Sequence, residues 1–296
     1  MFDSPLSRSA YEVLGVDPAA DAEAIRRAFR QQLRLTHPDT GGDAALFIEV
    51  QRAWELVGTD EARAAYDRGH GFADESDWRG WSAAQPRSGS RPRARSFGQA
   101  GSRRRARYED GVRSWRAQAD PYDPAVVRAL PRELRALLAR ALAEEASART
   151  IDALGMAFTV WHEVPAADDD VIDHVALGPT GLYGIASHDL GGPMRLRSDE
   201  IVGEGAETPV ADLRGRIRRV ARARRVRFGG AIVVLPDDDL PAAITPLTGV
   251  RELPTVVVSR SALATVLRAG VPGARPIGGN ELFDVRTRLQ APIRPA

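Results

Sequence analysis

Cysteine and lysine are both missing from the 296 residues of this chain. The lack of cysteine excludes disulfides and thiolate metal sites. Arginine therefore supplies all 41 basic residues, which 40 acidic residues balance to a net charge of +1. The longest apolar runs, such as residues 231–235, are too short to span a bilayer, and the first residues do not resemble a signal peptide. We expect a soluble cytoplasmic protein without membrane contact, long enough for two domains.

A basic amphipathic helix is predicted between Asp21 and Thr36. Asp21 can cap its first turn, and Ile25, Phe29 and Leu33 recur at helical spacing on one side. Three arginines at i, i+4 and i+8 lie on another side of the helix, and a fourth arginine is next to the first of them. These residues are Arg26, Arg27, Arg30 and Arg34.

The tripeptide His37-Pro38-Asp39 follows this helix directly. Pro38 disfavours helical backbone at the preceding residue, so the helix is predicted to end near His37. A second long helix is predicted from about residue 42, with an apolar stripe that includes Phe47, Val50 and Trp54. The two helices would form an antiparallel hairpin with the tripeptide at its tip. Two short helices are predicted to flank the hairpin, one within residues 6–16 and the other from about residue 59 to 67.

This stretch resembles the J-domain of DnaJ-type co-chaperones over about residues 8–70. The matching blocks are residues 11–16, 25–30, 37–39 and 63–67. The resemblance implies an all-α domain that binds a DnaK-type chaperone and stimulates its ATP hydrolysis. It implies that the tripeptide makes the specific contact and that the arginine face docks on an acidic surface. The chaperone-binding residues are then His37, Pro38, Asp39, Arg26, Arg27, Arg30 and Arg34, with no catalytic residue in this chain.

A change of composition predicts a disordered arginine-rich linker over residues 71–120. Residues 87–107 contain eight arginines and no acidic residue, and such a block is typical of a segment that cannot form its own core. We interpret it as a flexible tether between domain 1–70 and domain 121–296. Weak contact with nucleic acid or anionic lipid, through charge alone, is the alternative.

The remainder has the pattern of a mixed α/β domain. Apolar periodicity predicts helices at 124–154, 209–225, 259–268 and 280–289. Strand patterns fall at 157–164, 171–177, 182–187, 194–202, 231–235 and 255–258. The motif Gly178-Pro179-Thr180-Gly181 predicts a hairpin between two of these strands.

Residues 172–185 resemble one block of the nuclease-related domain, a branch of the restriction-endonuclease-like fold. In active members this block supplies an aspartate, and a Glu-x-Lys motif follows it, so that two carboxylates hold Mg²⁺. Here Asp173 matches, but Ala186-Ser187-His188 stand at the Glu-x-Lys positions. Alanine cannot ligate a metal, and histidine is a poor substitute for the lysine cation at neutral pH. The resemblance therefore implies an inactive, degenerate site without metal or cofactor.

Three functions follow from these patterns. The leading hypothesis is a co-chaperone whose C-terminal domain binds a target or a client of unknown identity. A metal-dependent nuclease that carries a J-domain is the second, and a nucleic-acid-binding adaptor that uses arginines in residues 87–107 and 214–227 is the third. A metal site built from His162, His174 and His188 is a further alternative, although histidines scattered over strands are usually structural.

Overall fold

A computed structural model describes residues 4–6, 10–16, 20–38, 42, 44–69, 92–167, 170–192, 194–197, 199–202, 208–247 and 253–290. The chain divides into two compact units. The first contains residues 1–87 and 118–130, and the second contains 88–117 and 131–296. A helical N-terminal part and a mixed α/β C-terminal part confirm the predicted fold class.

The first unit is helical. Its elements are α1 (Ala10–Leu14), α2 (Ala22–Thr36), α3 (Ala44–Val57), α4 (Asp60–Gly69) and α6 (Pro124–Ala129). The Asp21 carboxylate accepts a hydrogen bond of 2.7 Å from the Ala24 amide, so the predicted N-cap is confirmed. Among the described residues, no helix of either unit is long and apolar enough to cross a membrane.

Aromatic side chains join the four helices α1 to α4 into one core. Tyr11 and Tyr66 are buried and meet edge to face, with ring centroids 5.9 Å apart. The Phe29 ring stacks on Trp54 at 4.5 Å, which ties α2 to α3. The Tyr66 hydroxyl also accepts a hydrogen bond from the Ala10 amide. The stacked Phe29 and Trp54 rings therefore hold α2 against α3, while Tyr11 and Tyr66 hold α1 against α4.

The second unit contains a mixed sheet with the order β1-β2-β3-β4-β7-β9-β8. Its strands are β1 (Arg95–Phe97), β2 (Thr159–Ala167), β3 (Asp170–Gly178), β4 (Gly181–Ser187), β7 (Gly230–Leu235), β8 (Ile244–Leu247) and β9 (Thr255–Ser259). Strands β2, β3 and β4 form the predicted antiparallel meander, whereas β4, β7 and β9 are parallel. A separate two-stranded ribbon pairs β5 (Arg195–Arg197) with β6 (Glu200–Val202).

Helices cover both faces of this sheet. They are α5 (Ser102–Trp115), α7 (Arg132–Asp152), α8 (Pro209–Arg224), α9 (Leu263–Ala269) and α10 (Gly279–Gln290). The apolar sides of α8 and α10 pack on one face, where Ile217 lies directly over Gly184 of β4. Residues of α7 and α9 pack on the other face with Ile232 and Val256. The central strands are therefore buried on both sides, as their continuous apolar runs indicate.

The structure differs from the predicted linker in residues 92–115. Strand β1 extends the sheet, and α5 packs against α7, although both lie inside the segment interpreted as a tether. The prediction rested on local composition and was wrong here, because the acidic partners of Arg104 and Arg105 lie 40 positions or more further along the chain. Residues 70–91 lie outside the described residues, so the linker stays a prediction there.

Two further boundaries differ from expectation. The helix predicted over residues 124–154 is divided into α6 and α7, because Pro131 interrupts the backbone hydrogen bonding. The strand predicted over residues 194–202 is a hairpin, and Asp199 adopts a left-handed backbone with φ of 62° at its turn. Strands β1 and β8 are short strands at the two edges of the sheet. They were not predicted, because neither contains an apolar run.

Candidate functional site

The tip of the helical hairpin is held by backbone hydrogen bonds. Helix α2 ends at Thr36, and His37 takes an extended backbone with φ of −64° and ψ of 126°. The Gly42 amide donates a hydrogen bond of 3.0 Å to the His37 carbonyl. A side chain at position 42 would collide with the Thr36 carbonyl carbon, since an added Cβ would lie 2.3 Å away. The loop therefore passes so close to the end of α2 that only glycine can be accommodated at position 42.

The His37 side chain is half-buried at this tip. Its ring meets the edge of Phe47 from α3, with ring centroids 5.1 Å apart and planes inclined by 81°. Pro38 is exposed. Asp39, the third residue of the tripeptide, lies outside the described residues. The helix core thus orients the histidine, while the proline beside it faces solvent.

An arginine face runs along α2 towards the tip. Arg26, Arg30 and Arg34 are exposed, whereas Ile25 on the opposite side is buried. Arg27 lies 3.9 Å from Glu23, and both side chains are more than 70% exposed, so this ion pair contributes little stability. The face is positive because four arginines are clustered along one side of α2.

Residues 9–67 match the family model of the DnaJ domain. The chaperone protein DnaJ of Thermosynechococcus vestitus is 44% identical over 66 residues, which are 21% of this chain and 18% of that protein. The DnaJ of Trichormus variabilis is 40% identical over 88 residues, or 26% of this chain and 23% of that protein. A tetratricopeptide repeat and J domain-containing co-chaperone of Cryptococcus neoformans is 42% identical over 59 residues, or 20% of this chain and 11% of that protein.

Residues 9–67 are a J-domain. The resemblance seen in the sequence is thereby confirmed for this part of the chain. The J-domain accounts for about a fifth of the residues, and the chain spans less than a quarter of the length of each of these relatives. The matches to the J-domain relatives do not extend over the α/β unit, whose resemblance to the nuclease-related domain stays a prediction.

The second candidate site is a polar centre beneath α5 and α7 in the α/β unit. Asp173 of β3 is 1% exposed, and its Oδ2 accepts a hydrogen bond of 2.8 Å from the Ser187 amide. Glu144 of α7 is fully buried, and its Oε2 accepts a hydrogen bond of 3.1 Å from the Gly101 amide. Two carboxylates, each held by one backbone N–H, therefore lie within a single buried layer.

Arg104 of α5 joins these two carboxylates. Its Nη1 lies 3.1 Å from Asp173 Oδ1 and also forms an ion pair with Glu144 Oε1. Burial alone would raise the pKa of Asp173, but the charge of Arg104, together with the Ser187 amide, holds the pKa below its usual value. Asp173 is therefore a carboxylate at neutral pH, and Arg104 is its principal counter-charge.

Three histidines adjoin this centre. Nδ1 of His162 and Nδ1 of His174 are 2.8 Å apart, so the two rings share one proton. His162 Nε2 is also 2.8 Å from the Ser96 hydroxyl, whereas His188 Nδ1 lies 3.3 Å from Arg140.

Burial keeps these histidines uncharged at neutral pH. It lowers the pKa of His174 to about 3, with a further contribution from His162, and it lowers the pKa of His188 to about 3 beside Arg140. It also lowers the pKa of His162. The histidines therefore add no positive charge to the polar centre at pH 7.

The residues predicted at the degenerate nuclease site are only partly brought together. Asp173 and Ser187 meet directly, but the Ala186 side chain belongs to the apolar cluster on the opposite face. His188 contacts Arg140, and the three histidines do not converge on one point. In the described part of the chain, no group of three or more His, Asp or Glu residues is placed to hold a metal ion.

Sequence reasoning missed Glu144 and Arg104, the other two members of the centre. A signal for Glu144 was present, because it shares helical spacing with the apolar residues Leu137, Ala141 and Ala148. A carboxylate on the buried stripe of a helix requires a buried partner. Arg104 carried no comparable signal, since it lies among arginines in a segment without apolar periodicity.

Proposed function

We propose that this chain is a co-chaperone that binds a DnaK-type chaperone through its J-domain and stimulates the partner's ATP hydrolysis. The observation that carries the proposal is His37 and Pro38 at the tip of the arginine-faced hairpin, within a segment that matches the DnaJ domain. Hydrolysis would take place in the active site of the partner, and this chain would supply binding energy and no reacting group.

The arginine face suits the first step of such an association. Arg26, Arg27, Arg30 and Arg34 would attract an acidic surface, which speeds encounter and fixes the orientation of the helix. His37, Pro38 and Asp39 would then make the specific contact at the tip. His37 suits this role because Phe47 restricts its ring, so little side-chain entropy is lost when the partner binds.

The α/β unit would bind a target or a client protein. Metal-dependent cleavage of nucleic acid has less support, because Ala186 and His188 replace the carboxylate and the lysine of the Glu-x-Lys motif. The adaptor alternative also loses part of its basis, since Arg104 and Arg105 are engaged in ion pairs within the unit. Exposed arginines of α8, such as Arg218 and Arg222, still favour contact with an anionic partner as a second candidate.

Reversing one charge of the arginine face tests the docking step. We expect Arg30→Glu to lower the affinity for the cognate DnaK-type chaperone about five- to tenfold at low salt, with a smaller difference at high salt. Association kinetics measured across a salt series checks this. Arg52→Glu is the matched control, because Arg52 is exposed on α3 and the change of net charge is the same. Equal losses for both variants would refute the docking face.

Incubation of the purified protein with plasmid DNA and Mg²⁺ or Mn²⁺ tests the nuclease alternative. We expect no cleavage, because the sequence lacks the Glu-x-Lys carboxylate and Arg104 already pairs with Asp173. Cleavage that disappears in Asp173→Ala would overturn the inactive interpretation, whereas cleavage that persists in this variant would identify a contaminating nuclease.

A further inference from the structure

The polar centre of the α/β unit carries an unusual concentration of buried charge. The Glu144 and Asp173 side chains are 0% and 1% exposed, and the Arg104 side chain is 15% exposed. Two buried carboxylates that face each other repel and lose their hydration, so they require a shared positive charge. Arg104 Nη1 contacts both carboxylates, so its guanidinium is the positive charge that they share.

The two carboxylates are oriented independently of Arg104. One oxygen of each is fixed by a backbone amide, from Gly101 for Glu144 and from Ser187 for Asp173. The other oxygen of each, Glu144 Oε1 and Asp173 Oδ1, contacts the same guanidinium nitrogen of Arg104. The backbone of the unit therefore presents two carboxylate oxygens to a single point, and that point is occupied by a cation.

We propose that Arg104 is a built-in cation, which takes the place that a divalent metal ion would fill between Glu144 and Asp173. A hard ion such as Mg²⁺ or Mn²⁺ binds carboxylate oxygens that converge in this way and completes its coordination with water. In this chain the guanidinium supplies the charge instead, so the α/β unit folds without a metal ion at this point. Removing the guanidinium opens the centre to a divalent ion.

The neighbouring pair of Arg105 and Glu145 offers a matched comparison. Arg105 Nε donates a hydrogen bond of 2.8 Å to Glu145 Oε1, and their side chains are 19% and 17% exposed. This pair comes from the same two helices, but it holds one carboxylate that water reaches. Loss of Arg105 therefore leaves no pair of convergent carboxylates and creates no site for an ion.

The experiment compares the full chain with the variants Arg104→Met, Arg104→Met/Asp173→Asn and Arg105→Met. Thermal unfolding is followed in EDTA and in millimolar Mn²⁺, and Mn²⁺ binding is counted by electron paramagnetic resonance. We expect the same Tm for the natural chain in both solutions. Arg104→Met should unfold about 10 °C lower in EDTA, because two buried carboxylates lose their counter-charge. It should bind one Mn²⁺ and regain much of the lost Tm.

The double variant and Arg105→Met should show no added Mn²⁺ binding. If Arg104→Met does not fold in EDTA, refolding in Mn²⁺ decides the question: recovery of the near-ultraviolet circular dichroism supports the built-in cation, and no recovery overturns it. Folded Arg104→Met protein that does not bind Mn²⁺ overturns it as well. A natural chain whose Tm falls in EDTA would contradict the statement that Arg104 replaces the metal.

Discussion

Replacing His37 with glutamine is expected to reduce the stimulated rate of ATP hydrolysis by the DnaK-type partner about 10- to 100-fold. The loss corresponds to one specific polar contact of about 1–3 kcal/mol at the interface. Glutamine preserves polarity but not the ring that meets Phe47, so both the contact and the orientation of the tip are removed. Single-turnover hydrolysis by the cognate partner, with and without this protein, measures the effect.

The fold of the J-domain should survive this substitution. The core is built from the aromatic contacts between Tyr11 and Tyr66 and between Phe29 and Trp54, and His37 takes part in neither. Hydrogen exchange in α2 and α3 should therefore match that of the natural chain. Arg52→Gln, an exposed change on α3, is the control that should keep full stimulation. If His37→Gln stimulates as well as the natural chain does, the proposed co-chaperone mechanism is wrong.

Mild acid is expected to destabilise the α/β unit. The pKa of His174 and that of His188 are about 3 in the folded protein, against about 6.5 when unfolded. The unfolded chain therefore binds more protons below pH 6.5, and stability falls as the pH decreases from there towards 3. Between pH 6.5 and pH 5, each histidine should lower the free energy of unfolding by about 1.5 kcal/mol.

Burial explains why protonation is so unfavourable there. His174 Nε2 is buried without a hydrogen-bond partner among the described residues, so an added proton would gain no acceptor. Hydrogen exchange of β3 and β4, measured at pH 7 and pH 5, reports the stability of this unit. In His174→Gln the difference between the two pH values should shrink by about half relative to the natural chain. An unchanged difference would show that His174 does not titrate with unfolding.

The J-domain could be predicted almost completely, because its determinants are local. Asp21 caps α2 three residues from the amide that it binds, and the spacing of Ile25 and Phe29 defines the buried side. Pro38 ends the helix through its own backbone. These signals lie within one or two turns of the residues that they affect, so they can be detected without knowledge of distant partners.

The α/β unit was predicted only in outline, and its polar centre was largely missed. The meander and the central strands follow from apolar runs, but β1 joins the sheet by pairing with β2, some 60 residues further along the chain. The arginines of α5 looked solvated because the segment contains no acid at the start of the helix. Their order depends on Glu144, Glu145 and Asp173, which are brought close only by folding.

The sequence by itself determined the helical hairpin that ends at His37 and Pro38, the arginine face of α2 and the mixed α/β character of the second half. Only the tertiary structure decided that Arg104 lies between two buried carboxylates and that residues 92–115 belong to a folded unit. The physical reason is that helix caps, proline stops and apolar periodicity act between near neighbours in the chain. A buried ion pair depends on where distant backbone segments place their side chains. The attraction between its charges becomes strong only after folding has excluded water from around them.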